Sequence, residues 1–272
     1  MSRKASMIIS RSLRRALLAG FCGTALLMSF CPAAPAANAQ SIRDQIPIVA
    51  GTALRVYGSH RCTAGVVLRS RSWVSLATPI GRATRYVVLA KHCADYADPI
   101  SVDGQVVGRV SWRSPTYDIE LATIPPSVAQ RPVCSGASQL HHCTIPPATP
   151  RAVGRIILNS NPPENAVPIV GFGVPDVGER FCTSGSISYI NCVFEITDTP
   201  PGQSQSGQDF ARTMNGVTLQ PGDSGGPVAG VNGRLYGIIS KRGRDNYRDT
   251  IGYVPMFVVM QDLGYVYELA PA

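Results

Sequence analysis

Short β-branched runs separated by turn residues set the strongest limit on the fold. "GVVL" (65–68), "RYVVLA" (85–90), "IELATI" (119–124), "RIIL" (155–158) and "VPIVGFGV" (167–174) have the length and composition of strands. Asp103-Gly104 sits between "ISV" and "QVVGRV", and Asn232-Gly233 between "GPVAGV" and "RLYGIIS". Both dipeptides suit two-residue hairpin turns that need positive φ. No run of helices alternates with the strands, which argues against a parallel α/β sheet. The one good helical segment, "VPMFVVMQDLG" (254–264), has Pro near its start and Gly at its end. The pattern is all-β, and a chain of this size with such strands closes into barrels or a sandwich. Apolar residues make up 44% and charged residues 15%, which is enough to build a core and excludes a disordered chain. Pro-rich "IPPATP" (145–150) and "NPPENAVP" (161–168) read as surface connections, the second dividing the strands into two halves.

Residues 1–39 stand apart from this pattern. Arg3, Lys4, Arg11, Arg14 and Arg15 precede the apolar run "ALLAGFCGTALLMSF" (16–30), and Ala37-Asn38-Ala39 offers a small-residue cleavage site. That order is a secretory signal peptide, and the apolar run is short for a membrane span. Export by the general or the twin-arginine route stays open. The expected product is secreted, extracellular or associated with the cell wall, without a stable membrane anchor. Removing five basic residues and no acid takes the formal charge from +8 to +3. The basicity therefore belongs mostly to the leader and does not argue for nucleic-acid binding.

Six cysteines remain beyond the leader: Cys62, Cys93, Cys134, Cys143, Cys182 and Cys192. An even number in an exported chain reads as disulfides. Sequence alone allows many pairings, of which neighbours with neighbours (62–93, 134–143, 182–192) is the simplest. No CxxC spacing supports a zinc site, and no metal or cofactor is expected.

The chemistry concentrates in "LQPGDSGGP" (219–227). A serine hydroxyl is a weak nucleophile until a base takes its proton and donors await the oxyanion. A tight Gly-rich turn around Ser224 can aim backbone N–H groups into one small space, and Gly222 has no Cβ to obstruct them. Of the four histidines, His92 follows an apolar run and precedes Cys93. His141 and His142 lie in a short loop between cysteines, and His60 has no obvious partner. Asp118 in "YDIELA" opens an apolar strand, where a carboxylate can orient an imidazole. Glu120, two residues on, is the lower-ranked alternative acid, and it shares that face if the strand is regular. Taken singly, each has a plainer reading: a structural histidine, a strand-end acid, a serine in a corner.

Together they run His92, Asp118, Ser224, within "AKHC", "YDIEL" and "PGDSGGP". In this order and these strings the chain resembles the trypsin/chymotrypsin superfamily of serine proteases, and most closely its bacterial streptogrisin and α-lytic protease branch. "CTSGSISYINC" (182–192), "IVAGTALRV" (48–56) and the 26-residue step from His92 to Asp118 add to the likeness, which spans about 48–267. The resemblance implies two six-stranded antiparallel β-barrels, about 48–160 and 161–272, with a short C-terminal helix. Residues 40–47 would be a short propeptide-like segment. It implies a monomeric serine endopeptidase acting on proteins or peptides. Ser224 would be nucleophile, His92 base and Asp118 orienting acid. The N–H groups of Gly222 and Ser224 would form an oxyanion hole, and Asp223 would be the structural acid holding it open. Cys62–Cys93 and Cys182–Cys192 would match family disulfides, with Cys134–Cys143 an added loop. Two alternatives are a catalytically silent binding protein on the same fold and an esterase using the same triad.

Several positions depart from the family. Ser240 fits the residue that supports the acid, but Lys241 and Arg242 stand where an aromatic and a Gly are usual, in the strand that pairs with substrate. They would narrow the groove or favour acidic groups. Thr218 stands near a family cysteine, so the disulfide bracing the specificity pocket is missing. The segment between Cys62 and Cys93 is long for the branch. The partner of Asp223 stays open between a new α-amine at Ile48 and Arg180, because Thr183 occupies the place of the usual Arg.

Overall fold

The computed structural model describes residues 40–56, 60–128, 133–135, 142–144 and 148–272, with 133–135 and 142–144 given by their backbone. The strand Arg85–Leu89 explains the architecture. It lies between Val66–Ser70 and Glu120–Ile124, both antiparallel to it. Successive side chains of a strand leave on opposite faces. Val67, Val87, Leu89, Ala122 and Ile124 therefore fill the inside of the first sheet. Val66, Leu68, Val88 and Leu121 leave the other way, into a second core. A strand apolar on both faces reads as a continuous run, which is why "RYVVLA" does not alternate.

The first sheet has eight strands, ordered Arg61–Thr63, Ala53–Arg55, Pro99–Val102, Gln105–Arg113, Glu120–Ile124, Arg85–Leu89, Val66–Ser70 and Tyr267–Leu269. Asp103 and Gly104 take φ of 45° and 77° between paired Val102 and Gln105, the two-residue turn their sequence predicts. In the second sheet Arg234–Arg242, Pro227–Ala229, Phe181–Gly185, Tyr189–Thr197, Asp209–Thr213 and Thr250–Pro255 pair in turn. The last pairs back with the first, closing a six-stranded ring. This is the all-β, two-barrel arrangement expected, although the C-terminal strand Tyr267–Leu269 crosses to the first sheet. Ile48–Ala50, Ala152–Asn159 and Asn165–Pro168 form a separate three-stranded sheet. The helix Met256–Leu263 ends at Gly264, whose N–H returns to Met260 O at 2.8 Å. Two one-turn helices, Trp73–Ala77 and Pro79–Ala83, account for the long segment between Cys62 and Cys93. Among the described residues no helix is long and apolar enough to cross a membrane.

Two local expectations change. "VPIVGFGV" is not one strand: Asn165–Pro168 pairs with Ala152–Asn159, while Gly171–Phe172 runs parallel to Arg234 and Leu235. Gly171, at φ +142°, breaks the extension between them. Asn232-Gly233 is not a two-residue turn either. Gly230 N–H donates to Arg234 O and Gly233 N–H to Gly230 O, leaving a three-residue loop with only Gly233 at positive φ. Asn232 Oδ1 accepts from Arg234 N at 3.0 Å, so the side chain takes a local bond that a two-residue turn would not offer.

The second core joins the halves. Val66, Leu68, Val88 and Leu121 pack with Leu235, Ile238, Val254 and Met256, all with no exposure. Ile238 lies so close to Gly65 that a Cβ there would come 2.6 Å from its Cγ2. Ile238→Ala should therefore destabilise the protein by about 2–5 kcal/mol in denaturant unfolding, because backbone on both sides prevents collapse of the cavity.

Candidate active site

His92 is carried on a single 3-10 turn, Lys91–Cys93, at the end of the strand Arg85–Leu89. The turn is fixed from three sides. Cys93 is bonded to Cys62, Lys91 Nζ donates to Ser114 O at 2.5 Å, and Arg113 donates to Lys91 O at 3.0 Å. Asp118 precedes the strand Glu120–Ile124, which pairs with Arg85–Leu89 and so brings the acid to the histidine. Its carboxylate meets His92 Nδ1 at 3.0 and 3.1 Å and accepts the His92 backbone N–H at 3.2 Å. An ionised carboxylate only accepts, so Nδ1 carries the proton and Nε2 presents its lone pair. Ser240 Oγ donates to Asp118 Oδ2 and itself accepts from Gln208 Nε2 at 2.6 Å. Burial works to raise the Asp118 pKa, but the bonds from His92 and Ser240 and the charge of His92 outweigh it and hold it below its ordinary value.

Ser224 faces the same cavity, of about 780 Å³, between Gln220–Pro221 and Ile239–Arg244. No hydrogen bond joins Ser224 to His92, a gap common before substrate binds. The turn around Ser224 is tightly held. Gly222 and Gly225 have φ of +109° and +85°, Gly225 N–H donates to Ile239 O at 2.7 Å, and Ser224 O accepts from Thr63 N at 2.8 Å. Gly222 O accepts from both Thr63 Oγ1 and Ser186 Oγ. Among the described residues, the N–H groups of Gly222 and Ser224 have no protein acceptor.

Asp223 is fully buried, and its carboxylate accepts three backbone N–H bonds. Ile187 and Ser188 donate to Oδ1 at 2.9 and 3.0 Å, and Gln220 donates to Oδ2 at 2.7 Å. Of the two expected cations, Arg180 is elsewhere, paired with Glu195 at 3.0 Å. Ile48 is joined to Pro47 in this uncut chain, and its peptide N–H donates to Arg151 O. Backbone donors satisfy the carboxylate instead, because the turn between Phe181–Gly185 and Tyr189–Thr197 points two N–H groups at it.

Three residues of this region were not anticipated. Gln208 supports Ser240. Arg43, in the segment 40–47, is buried; it grips both carboxylate oxygens of Glu164 at 2.8 Å and donates to Gly51 O and Ser184 Oγ at 3.0 and 3.2 Å. Its guanidinium also lies 5.3 Å from the centre of the Tyr189 ring. Nothing in the sequence points from Arg43 to Glu164, 121 residues away. Of the remaining candidates, Cys182–Cys192 is bonded. Cys134 and Cys143 face each other across an antiparallel pair, but their side chains lie outside the described residues. His141 and the His142 side chain also lie outside them. His60 is exposed and away from the cavity.

Glu120 is not an alternative to Asp118. It makes no bond to His92; it is fully buried, neither carboxylate oxygen has a hydrogen-bond donor, and Arg113 Nε stands at 3.6 Å. Burial pushes its pKa up to about 9, further raised by Asp118, with Arg113 opposing. The folded protein then holds a proton that the unfolded chain releases near its ordinary value of 4.5. Stability from this group is full below that value and lost as pH rises toward 9. Glu120→Gln should be more stable than the parent at pH 8 by at least about 1 kcal/mol, the gain shrinking toward pH 5 in urea unfolding at both values.

No protein-family model and no curated protein matches this chain. Solved structures do. Thermobifida fusca protease A is 17% identical, with a TM-score of 0.56 over 83% of this chain and 99% of that one. The Cellulomonas bogoriensis chymotrypsin is 19% identical, with a TM-score of 0.55 over 83% and 99%. A glutamic-acid-specific serine protease is 21% identical, with a TM-score of 0.50 over 81% and 99%. At these identities the likeness is one of architecture, and it establishes that the chain has the chymotrypsin-like fold in the form found in bacterial serine proteases.

Proposed function

We propose that the protein is an exported serine endopeptidase. The observation that carries this reading is the chain Gln208–Ser240–Asp118–His92, ending on an Nε2 lone pair in the cavity that Ser224 lines. In this reading His92 takes the Ser224 proton as Oγ attacks the scissile carbonyl, then returns it to the leaving amine. Asp118 orients the imidazole and stabilises its cation. The oxygen of the tetrahedral intermediate sits at the N–H groups of Gly222 and Ser224, which have no competing protein acceptor. Attack breaks the carbonyl π bond and collapse expels the amine, leaving an acyl-Ser224 that water hydrolyses by the same base. The leader at 1–39 and the disulfides Cys62–Cys93 and Cys182–Cys192 support export.

A fluorophosphonate should label Ser224 in the secreted protein and fail on Ser224→Ala. Asp118→Asn should lower kcat on a peptide amide by about 10⁴, because the imidazole is then held in the wrong tautomer. Absence of labelling in folded protein would leave only a binding role, and labelling with ester but no peptide cleavage would make it an esterase.

A further inference from the structure

Resting on that reading, we propose that the cleft selects substrates with an acidic side chain at the cleaved residue or immediately before it. Lys241, Arg242, Arg244 and Arg248 all line the cavity that holds His92 and Ser224. Among the described residues none of the four makes an ion pair. Of the three acids on the same lining, Asp118 is engaged by His92 and Ser240, and Asp223 by three backbone N–H groups. Only Asp245 remains to offset the four cations. Lys241 is anchored through Gln203 O and Gln205 Oε1 at 2.9 and 3.1 Å, acceptors that position its charge without neutralising it. Burial and the neighbouring Arg244 lower its pKa, with Asp118 opposing. Clefts lined by one sign of charge concentrate ligands of the other.

The test uses fluorogenic peptides differing only by Glu or Gln at the cleaved residue, and a second pair differing at the residue before it. Glu should exceed Gln in kcat/KM by at least about tenfold in one pair. The preference should shrink between about 0.05 and 1 M NaCl, as screening shortens from about 14 to 3 Å. It should also fall in Arg242→Gln, Arg244→Gln and Arg248→Gln. Equal rates in both pairs, or a preference indifferent to salt and to all three substitutions, overturns the proposal. Fluorophosphonate labelling run in parallel separates the failures. Labelled enzyme without acidic preference defeats only the substrate class, and unlabelled folded protein defeats the protease reading and this one with it.

A second inference comes from a buried group away from the cleft. The geometry points to Arg43 as a positioning residue for the Ser224 turn, in place of a new chain terminus. The turn Gly185–Tyr189 supplies two of the three donors to Asp223. Arg43 touches both of its feet, donating to Ser184 on one side and lying over the Tyr189 ring on the other. Glu164 and Gly51 O hold the guanidinium in place. Segment 40–47 thereby braces the turn for as long as it stays attached to Ile48.

Arg43→Ala should lower kcat and kcat/KM together by at least about tenfold, with KM little changed, because the loss falls on the oxyanion donors. Arg43→Lys should recover part of it. Ser184→Ala removes only the hydrogen bond between brace and turn, and keeps the experiment decisive if Arg43→Ala fails to fold. It should show the same kcat-directed loss with a Tm close to the parent's. Parent-like kcat in folded Arg43→Ala or in Ser184→Ala overturns the assignment, as does a loss confined to KM.

Discussion

The buried carboxylate of Asp223 is the constraint on which the Gly222–Gly226 turn depends. An unpaired ion with no exposure would be costly, so the chain must bring donors to it. It brings three backbone N–H groups, two from a hairpin 35 and 36 residues earlier in the chain and one from the start of the same loop. Gly185 lies so close to the carboxylate that a Cβ there has no space. The same hairpin sends Ser186 Oγ to Gly222 O, while the first sheet sends Thr63 Oγ1 to that oxygen. The turn is thus clamped from both halves of the molecule, and its two outward N–H groups are left without protein partners.

How much of this was legible depends on the range of each interaction. Asp103-Gly104 forms its turn because two adjacent residues accept positive φ, a property they carry by themselves. The strands at 85–89 and 119–124 were readable because β-branched apolar runs fit a sheet buried on both faces. His92, Asp118 and Ser224 were readable through neighbours that constrain them: a cysteine, a strand start and glycines. Asn232-Gly233 misled because the Asn side chain had a local acceptor role to fill, which its identity alone does not rank against a tighter turn. The two halves of "VPIVGFGV" have suitable strand composition but different partners, and partner choice is not a local property.

The partner of Asp223 was illegible for a different reason. Searching the sequence for a cation presumes that a charge is answered by a charge. Backbone N–H groups answer it equally well, and every residue except proline has one, so no residue type marks them. Gln208 was missed on similar grounds: an amide within a polar loop carries no sign that it will meet Ser240 in a neighbouring strand.

Arg43 and Glu120 show the two ways this fold accommodates a buried ionisable group. Arg43 is accommodated because each nitrogen of the guanidinium finds an oxygen, two of them on a carboxylate it grips side by side. Removing either partner of such a pair strands the other and costs about 3–5 kcal/mol. Glu120 has no donor on either oxygen and one guanidinium beyond hydrogen-bond range, so neutralisation by a proton is the cheaper state. The acid that stays ionised is the one with donors from His92 and Ser240, and the acid that does not is the one without donors; the arrangement of hydrogen bonds, more than depth of burial, separates two carboxylates that lie two residues apart, one just before a strand and one at its start.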